Sequence, residues 1–385
     1  MSDVAVAFLS NRALHVRVNG VTRALESEFE RSVKERAASI ERRHAWKTQG
    51  RGAMFMGGAF GAQGGAAAQV PVMVTGLSAG PEGGLLYSME TDAVSGIFLR
   101  DVAGVETRLF HTADLRIRHA ALDSAGATLA ATAFHKADMR SNIAVLPLHG
   151  TEFSEVTEGD SFDQLPKWVP GDSRRIIFQS AGIGRDAAGR FASLGPCTVQ
   201  QLDLDSRELE EVASEDGHDL LQPQQTGNGT IYYIRKPYES GRRGVSLLGS
   251  LRDTALFPFR MALAVFQYFN VFSMMYTGKP LVTNKGAVQR QLDPREMFIH
   301  GNLATAMAAQ AGGEDAQGLV PSSWELVRRN PGGHTETVAK HVLTFDVAGD
   351  GRILYSDGAS IFQVNREGRH ERILQAELIE RVLAL

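Results

Sequence analysis

Apolar and β-branched residues fall in short runs, each introduced by a polar turn containing glycine: EGGLLYSME (82–90), DSAGATLAATAF (123–134), PGDSRRIIFQS (170–180), TGNGTIYYIRK (226–236) and AGDGRILYSDG (348–358). Runs this short, without helical spacing, read as buried β-strands. After a variable loop each is followed by another strand: GIFLRD (96–101), NIAVLPL (142–148), CTVQQLDL (197–204), VSLLGSL (245–251) and SIFQVN (360–365). A more polar strand comes next: VETRLFH (105–111), EFSEVTE (152–158), ELEEVAS (208–214), WELVRR (324–329) and ERILQAE (371–377). The repeating unit is four antiparallel strands.

The first unit starts inside the repeat. VAVAFLS, ALHVRV and TRALES supply its second to fourth strands, and its first is expected from LIERVLAL (378–385), which would join the two termini. That makes six units. The predicted class is all-β: a six-bladed β-propeller of four-stranded antiparallel blades, in which radial closure protects the sheet edges, with helical insertions.

One unit carries a family likeness. FDQLPKWVPGDSRRIIFQS (162–180) resembles the signature of the TolB-like propeller repeat, in which a Pro-x-Trp, a Pro-Asp-Gly-type turn and an Ile-x-Phe strand follow one another. Trp168, Pro170, Gly171, Asp172, Ile176 and Phe178 carry the match, and the turn is one residue longer than the usual form. The other units keep the turn and strand but lose the Trp. The resemblance implies a fold, and a role as an interaction platform or an accessory to a peptidase domain, without fixing which.

Two segments break the repeat. Between the first and second blades, residues 27–69 begin with a helical stretch lacking Gly and Pro from Ser27 to Gln49, followed by a Gly-rich stretch (50–66). Its glycine spacing does not match a dinucleotide-binding loop. The larger insertion, 251–322, is expected between the third and fourth strands of the fifth blade as a helical hairpin. Its first half, TALFPFRMALAVFQYFNVFSMMYTGKPL, is the most apolar part of the chain, yet Pro258, Arg260, Gln267 and Asn270 leave it short of the roughly 20 apolar residues a spanning helix needs. Phe257, Phe259, Phe266, Phe269, Phe272, Met274 and Met275 are the candidate partner- or membrane-binding residues.

Composition narrows the function classes. With 40 basic and 44 acidic residues among 385, and a net charge of -4, nucleic acid is not an expected partner. The single cysteine, Cys197, cannot form an internal disulfide, and the opening MSDVAVAFLS has no basic n-region, so the expected location is the cytoplasm, with the inner face of the membrane as a docking surface. No GxSxG, HExxH, CxxC or P-loop occurs. No catalytic, metal-binding or cofactor-binding residue is assigned, and no cofactor is expected.

Polar residues where the innermost strands begin are candidates for a ligand at the channel mouth: Arg116, Arg118 and His119; Asp163 and Gln164; His218, Asp219 and Gln222; Lys340 and His341. Some six-bladed propellers hydrolyse lactones or esters around a channel metal, and such a site needs several converging carboxylates. Asp163 and Asp219 are present without a clear third ligand. The sequence thus favours a non-catalytic scaffold for protein–protein interaction that docks a partner protein or a membrane surface through 251–322. Self-association is a further use of that hairpin, and a metal-dependent lactonase or esterase is the alternative.

Overall fold

The computed structural model describes residues 4–48, 72–172, 174–238, 319–365 and 368–385, with the side chains of its long helix described through residue 39. Blade one contains β1 (Val6–Ser10), β2 (Ala13–Val18) and β3 (Val21–Leu25), and is followed by helix α1 (Glu28–Thr48). Blade two is β4 (Met73–Ala79), β5 (Leu85–Glu90), β6 (Ser95–Arg100) and β7 (Glu106–Thr112). Blade three is β8 (Arg116–Leu122), β9 (Thr128–His135), β10 (Arg140–Pro147) and the short β11 (Ser154–Glu155).

Blade four is β12 (Gln164–Trp168), β13 (Arg175–Ser180), β16 (Thr198–Asp203) and β17 (Leu209–Ala213), with a separate hairpin, β14 (Ile183–Arg185) and β15 (Phe191–Leu194), between its second and third strands. Blade five is β18 (His218–Gln225), β19 (Ile231–Pro237), β20 (Glu325–Arg329) and β21 (Thr335–Lys340). Blade six is β22 (Thr344–Val347), β23 (Ile353–Ser356), β24 (Ser360–Val364) and β25 (His370–Gln375). The last strand, β26 (Ile379–Ala384), pairs antiparallel with β1, Val6 opposite Ala384, and completes blade one as the termini were expected to do.

The second strand of each blade is buried on both faces over most of its length because neighbouring blades stack on it. All six residues of β5 and all five of β1 are buried, which is why these stretches read as apolar runs instead of alternating. Leu9, Leu14 and Val16 of blade one pack on Val74, Tyr87, Met89 and Phe98 of blade two. Ala130 and Ile143 of blade three meet Trp168, Ile176 and Phe178 of blade four. Leu354, Ile361 and Leu374 of blade six meet Val6, Phe8 and Val382, so the seam at the termini is packed like the others.

A recurrent hydrogen bond stitches the ring. A backbone N–H near the start of each innermost strand donates to a group at the start of the third strand of the preceding blade: Val74 to the Arg12 carbonyl (3.1 Å), Asp163 to Ser141 (2.8 Å), Leu220 to Cys197 (2.8 Å), Val342 to Trp324 (3.0 Å) and Ile379 to Gly358 (2.7 Å). At the remaining junction Ile117 N–H donates to the Ser95 hydroxyl instead (2.9 Å).

Blade five departs from the sequence expectation. Its third strand is Glu325–Arg329 and its fourth Thr335–Lys340, so the chain makes its long excursion between the second and third strands, and 245–251 and the bulk of the hairpin segment lie outside the described residues. The reason is local: after Arg329, the Asn330–Gly333 turn, with Gly333 at φ 82 and Asn330 N–H donating to His334 O (2.9 Å), folds 335–340 back onto the strand before it. Val327 then sits opposite Tyr233 and enters the core shared with blade four. A helix is found in the first insertion as expected, whereas the Gly-rich 50–66 lies outside the described residues.

Candidate functional site

The innermost strands wall a central channel. Five of them carry a break in register: between Val74 and Gly76, Arg118 and Ala121, Gln164 and Lys167, Leu221 and Gln224, and Ile379 and Arg381. His119, Leu165 and Gln222 take positive φ there (51, 56 and 54°), and at Gly76 an added Cβ would lie 2.7 Å from the His119 nitrogen. Such bulges re-aim side chains that a regular strand would send into the blades. Pro166 and Pro223 lie within two of them, and proline within a strand is confined to edges and bulges, so those two residues were a readable signal for the channel lining.

Most of the polar candidates at the mouth are engaged with other side chains or with backbone. Arg118 makes a two-pronged ion pair with Glu90 of blade two (2.8 and 2.6 Å) beneath the Phe134 ring, and both partners are buried. Arg116 donates to the carbonyls of Asp92 and Ala93, and burial lowers its guanidinium below the usual arginine value. Asp163 accepts from the Ser180 hydroxyl (2.7 Å), and burial pushes its carboxyl up. Asp219 accepts from the Cys197 N–H (2.8 Å) and pairs with Lys236 (3.1 Å).

Gln164 is buried in its strand, and Gln222 staples blades four, five and six: its N–H donates to Gln179 (2.8 Å), its amide to the Leu343 carbonyl (3.0 Å), and its side-chain oxygen accepts from Thr344 (3.1 Å). His218 stands at the rim with Nδ1 3.0 Å from the Asp216 carbonyl. His341 precedes the innermost strand of blade six, Nδ1 2.9 Å from the Val320 carbonyl. Lys340 lies elsewhere, at the end of the outermost strand of blade five, with its ammonium 3.6 Å from Glu325.

Deeper in the channel is a cavity of about 40 Å³, to which every blade contributes through its innermost strand. His119, Lys167, Gln224, Asp346 and Arg381 are its polar lining beside Ser78, Gln222 and Thr344. Lys167, Asp346 and Arg381 escaped the sequence reading because they lie in the middle of short apolar strands, and only the ring brings them together. Phe257, Phe259, Phe266, Phe269, Phe272, Met274 and Met275 lie outside the described residues. Among the described residues no three His, Cys, Asp or Glu side chains converge as a metal site, and no helix is long and apolar enough to cross a membrane.

No protein-family model matches the chain, and no curated protein matches it. Solved structures do. TolB from Acinetobacter baumannii superposes with a TM-score of 0.50 at 10% identity, over 99% of this chain and 65% of that one. The putative TolB from Agrobacterium tumefaciens gives 0.46 at 11% identity over 98% and 90%. Oligogalacturonate lyase from Vibrio parahaemolyticus gives 0.41 at 8% identity over 78% and 65%. The chain therefore spans about two thirds of the A. baumannii protein, and at these identities the likeness concerns architecture alone. Six four-stranded blades, closed by the C-terminal strand and superposing on TolB along nearly the whole chain, make the fold that of a TolB-like β-propeller.

Proposed function

We propose that the protein is a non-catalytic propeller scaffold that docks a partner protein through the apolar segment 251–322, with Phe266, Phe269, Phe272, Met274 and Met275 at the contact and Phe257 and Phe259 beside it. The observation that carries this reading is the anchoring of both stems of the excursion. On one side Tyr238 donates its N–H to the Gly217 carbonyl (2.8 Å) and its hydroxyl to the Leu194 carbonyl of the blade-four hairpin (2.6 Å). On the other, Leu319 N–H donates to the Asp357 carbonyl (2.8 Å), and Leu319 fills the space beside Gly358, where an added Cβ would come within 2.9 Å of it. Anchored stems need no further ordering when a partner binds, which lowers the entropic cost of docking.

The engagement of the mouth groups by their neighbours supports a structural role for them, and with Asp163 held by Ser180 and Asp219 by Lys236, the metal-dependent hydrolase alternative gains no specific support. A cytoplasmic location belongs to the same reading and is tested by cell fractionation.

The test compares the full chain with a version in which 251–322 is replaced by a short Gly-Ser turn, and with the triple variant Phe266→Ser, Phe269→Ser, Phe272→Ser. In-cell crosslinking with mass spectrometry is expected to recover a protein that both variants lose. Liposome flotation of the full chain alone would transfer the role to a membrane surface, and concentration-dependent light scattering would transfer it to a second copy. Unchanged crosslinks in a folded triple variant would sink it.

A further inference from the structure

The innermost strand of blade one ends the chain with an arginine inside the channel. Arg381 projects into the cavity from β26, and its guanidinium donates to Nε2 of His119 across the channel at 3.4 Å. Among the described residues no carboxylate lies within ion-pairing distance of it. Its neighbour Glu380 faces away, to the backbone N–H of Arg12 (3.0 Å). Burial, only partly offset by Glu380, pushes the guanidinium down to about 10, which leaves it charged at neutral pH. Arg381 is partly buried, and a charge held there without a counter-ion costs free energy.

Lys167 of blade four lines the same cavity. Its ammonium stands 3.9 Å from Asp346, a loose contact, and the other oxygen of Asp346 already accepts the Ala384 N–H at 3.0 Å. Two cations thus face one carboxylate. Gln222 and Gln224 each spend one amide N–H on a carbonyl, that of Leu343 (3.0 Å) and that of Phe345 (3.3 Å), and they bring no charge to the cavity. The charged groups left to receive something are the two cations, and their excess over Asp346 is one positive charge.

We propose that the central channel is a binding site for a carboxylate, held by the guanidinium of Arg381 and the ammonium of Lys167. A planar carboxylate suits a guanidinium because it accepts two parallel N–H bonds. A single negative charge balances the surplus, whereas a phosphate dianion would bring its second charge against Asp346. A space that narrow takes a group of a few atoms, so the ligand is a small carboxylic acid or the free C-terminus of an extended chain entering along the axis.

The probes are acetate and a short alanine peptide with either a free or an amidated C-terminus, added to the full chain and followed by calorimetric titration and by Tm at constant ionic strength. A free carboxylate is expected to bind saturably and to raise Tm, while chloride and the amidated peptide do neither. Binding of acetate assigns the site to small acids, and binding of the free peptide alone assigns it to chain ends. Lys167→Gln is expected to weaken binding about tenfold, the loss of one charge-assisted contact. Asp346→Asn, which removes the opposing charge, is expected to tighten it. Arg381→Met is expected to abolish binding and to raise the Tm of the ligand-free protein, the reverse of what a purely structural arginine would do. The proposal is overturned if the wild-type protein shows no saturable response to either free carboxylate up to about 50 mM, well above a millimolar Kd. Undiminished binding in folded Lys167→Gln overturns it equally, whether or not Arg381→Met folds.

Discussion

The phenol of Tyr87 donates to the carboxylate of Glu106 at 2.5 Å, across blade two. The same carboxylate reaches outward to the start of helix α1, where it accepts the Ser27 hydroxyl (2.9 Å) and the N–H groups of Phe29 (3.0 Å) and Glu28 (3.3 Å). A helix N-terminus leaves its first N–H groups without partners and attracts negative charge, so Glu106 caps α1 from another blade. Phe29 reinforces the attachment by packing on Phe98, ring centroids 5.0 Å apart.

Glu106→Ala should therefore do two things together. It leaves the Tyr87 hydroxyl and the first helical N–H groups unsatisfied, at a cost of about 1–3 kcal/mol in urea unfolding. It should also raise amide exchange at residues 28–31 before the blades themselves open. A loss of stability without faster exchange at the helix start would separate the two roles.

Alkaline pH gives a second check. Burial, then the Glu106 carboxylate, raises the phenol of Tyr87; burial raises Tyr233, with Glu215 adding to it; and burial, then Asp357, pushes Tyr355 up to about 12. Groups whose folded-state values lie above their unfolded ones stabilise the protein fully below the unfolded value, about 10 for tyrosine, and lose that contribution as pH rises through the folded value. Stability should fall between about pH 10 and 12, and ultraviolet titration of the native protein should show these phenols ionising late, with unfolding.

Cys197 provides an internal reporter. Its thiol is buried at the start of the third strand of blade four, and burial, with Asp219 nearby, pushes it well above the usual thiol range. Since the thiolate is the reactive species, a thiol reagent at neutral pH should modify the native protein only at the rate of opening. As the chain has one cysteine, the rate should match global unfolding. A fast reaction in native buffer would contradict the burial.

Arg118 and Glu90 join blades two and three through a buried pair. Glu90→Gln should leave Arg118 uncompensated and cost about 3–5 kcal/mol, whereas the double replacement Glu90→Leu, Arg118→Met should recover most of that loss. Equal costs for the single and double variants, measured by urea unfolding, would show that the pair carries net stability of its own.

Much of this architecture is legible along the chain. Each glycine-containing turn followed by an apolar run specifies a hairpin locally, and burial on both faces of the second strands leaves apolar runs such as Leu85–Glu90 that need no partner to be recognised. Closure by residues 378–385 follows from the same count, because a first unit lacking one strand must borrow it. The order of strands in blade five did not follow. VSLLGSL and WELVRR have equal strand character, and choosing between them depends on the Asn330–Gly333 turn and on Val327 meeting Tyr233, a contact far apart in sequence.

The channel was least legible of all. The mouth candidates Arg116, Arg118 and Asp219 announce themselves as charges, yet the ring pairs them with Glu90, Lys236 and backbone groups that no spacing rule connects. Lys167, Asp346 and Arg381 sit on three different blades and become neighbours only when six repeats close around one axis. Local pattern determined the strands, since side-chain alternation and turn chemistry act over a few residues. The cavity and its unbalanced charge were decided by ring closure, because the distances that create them join strands from opposite ends of the chain.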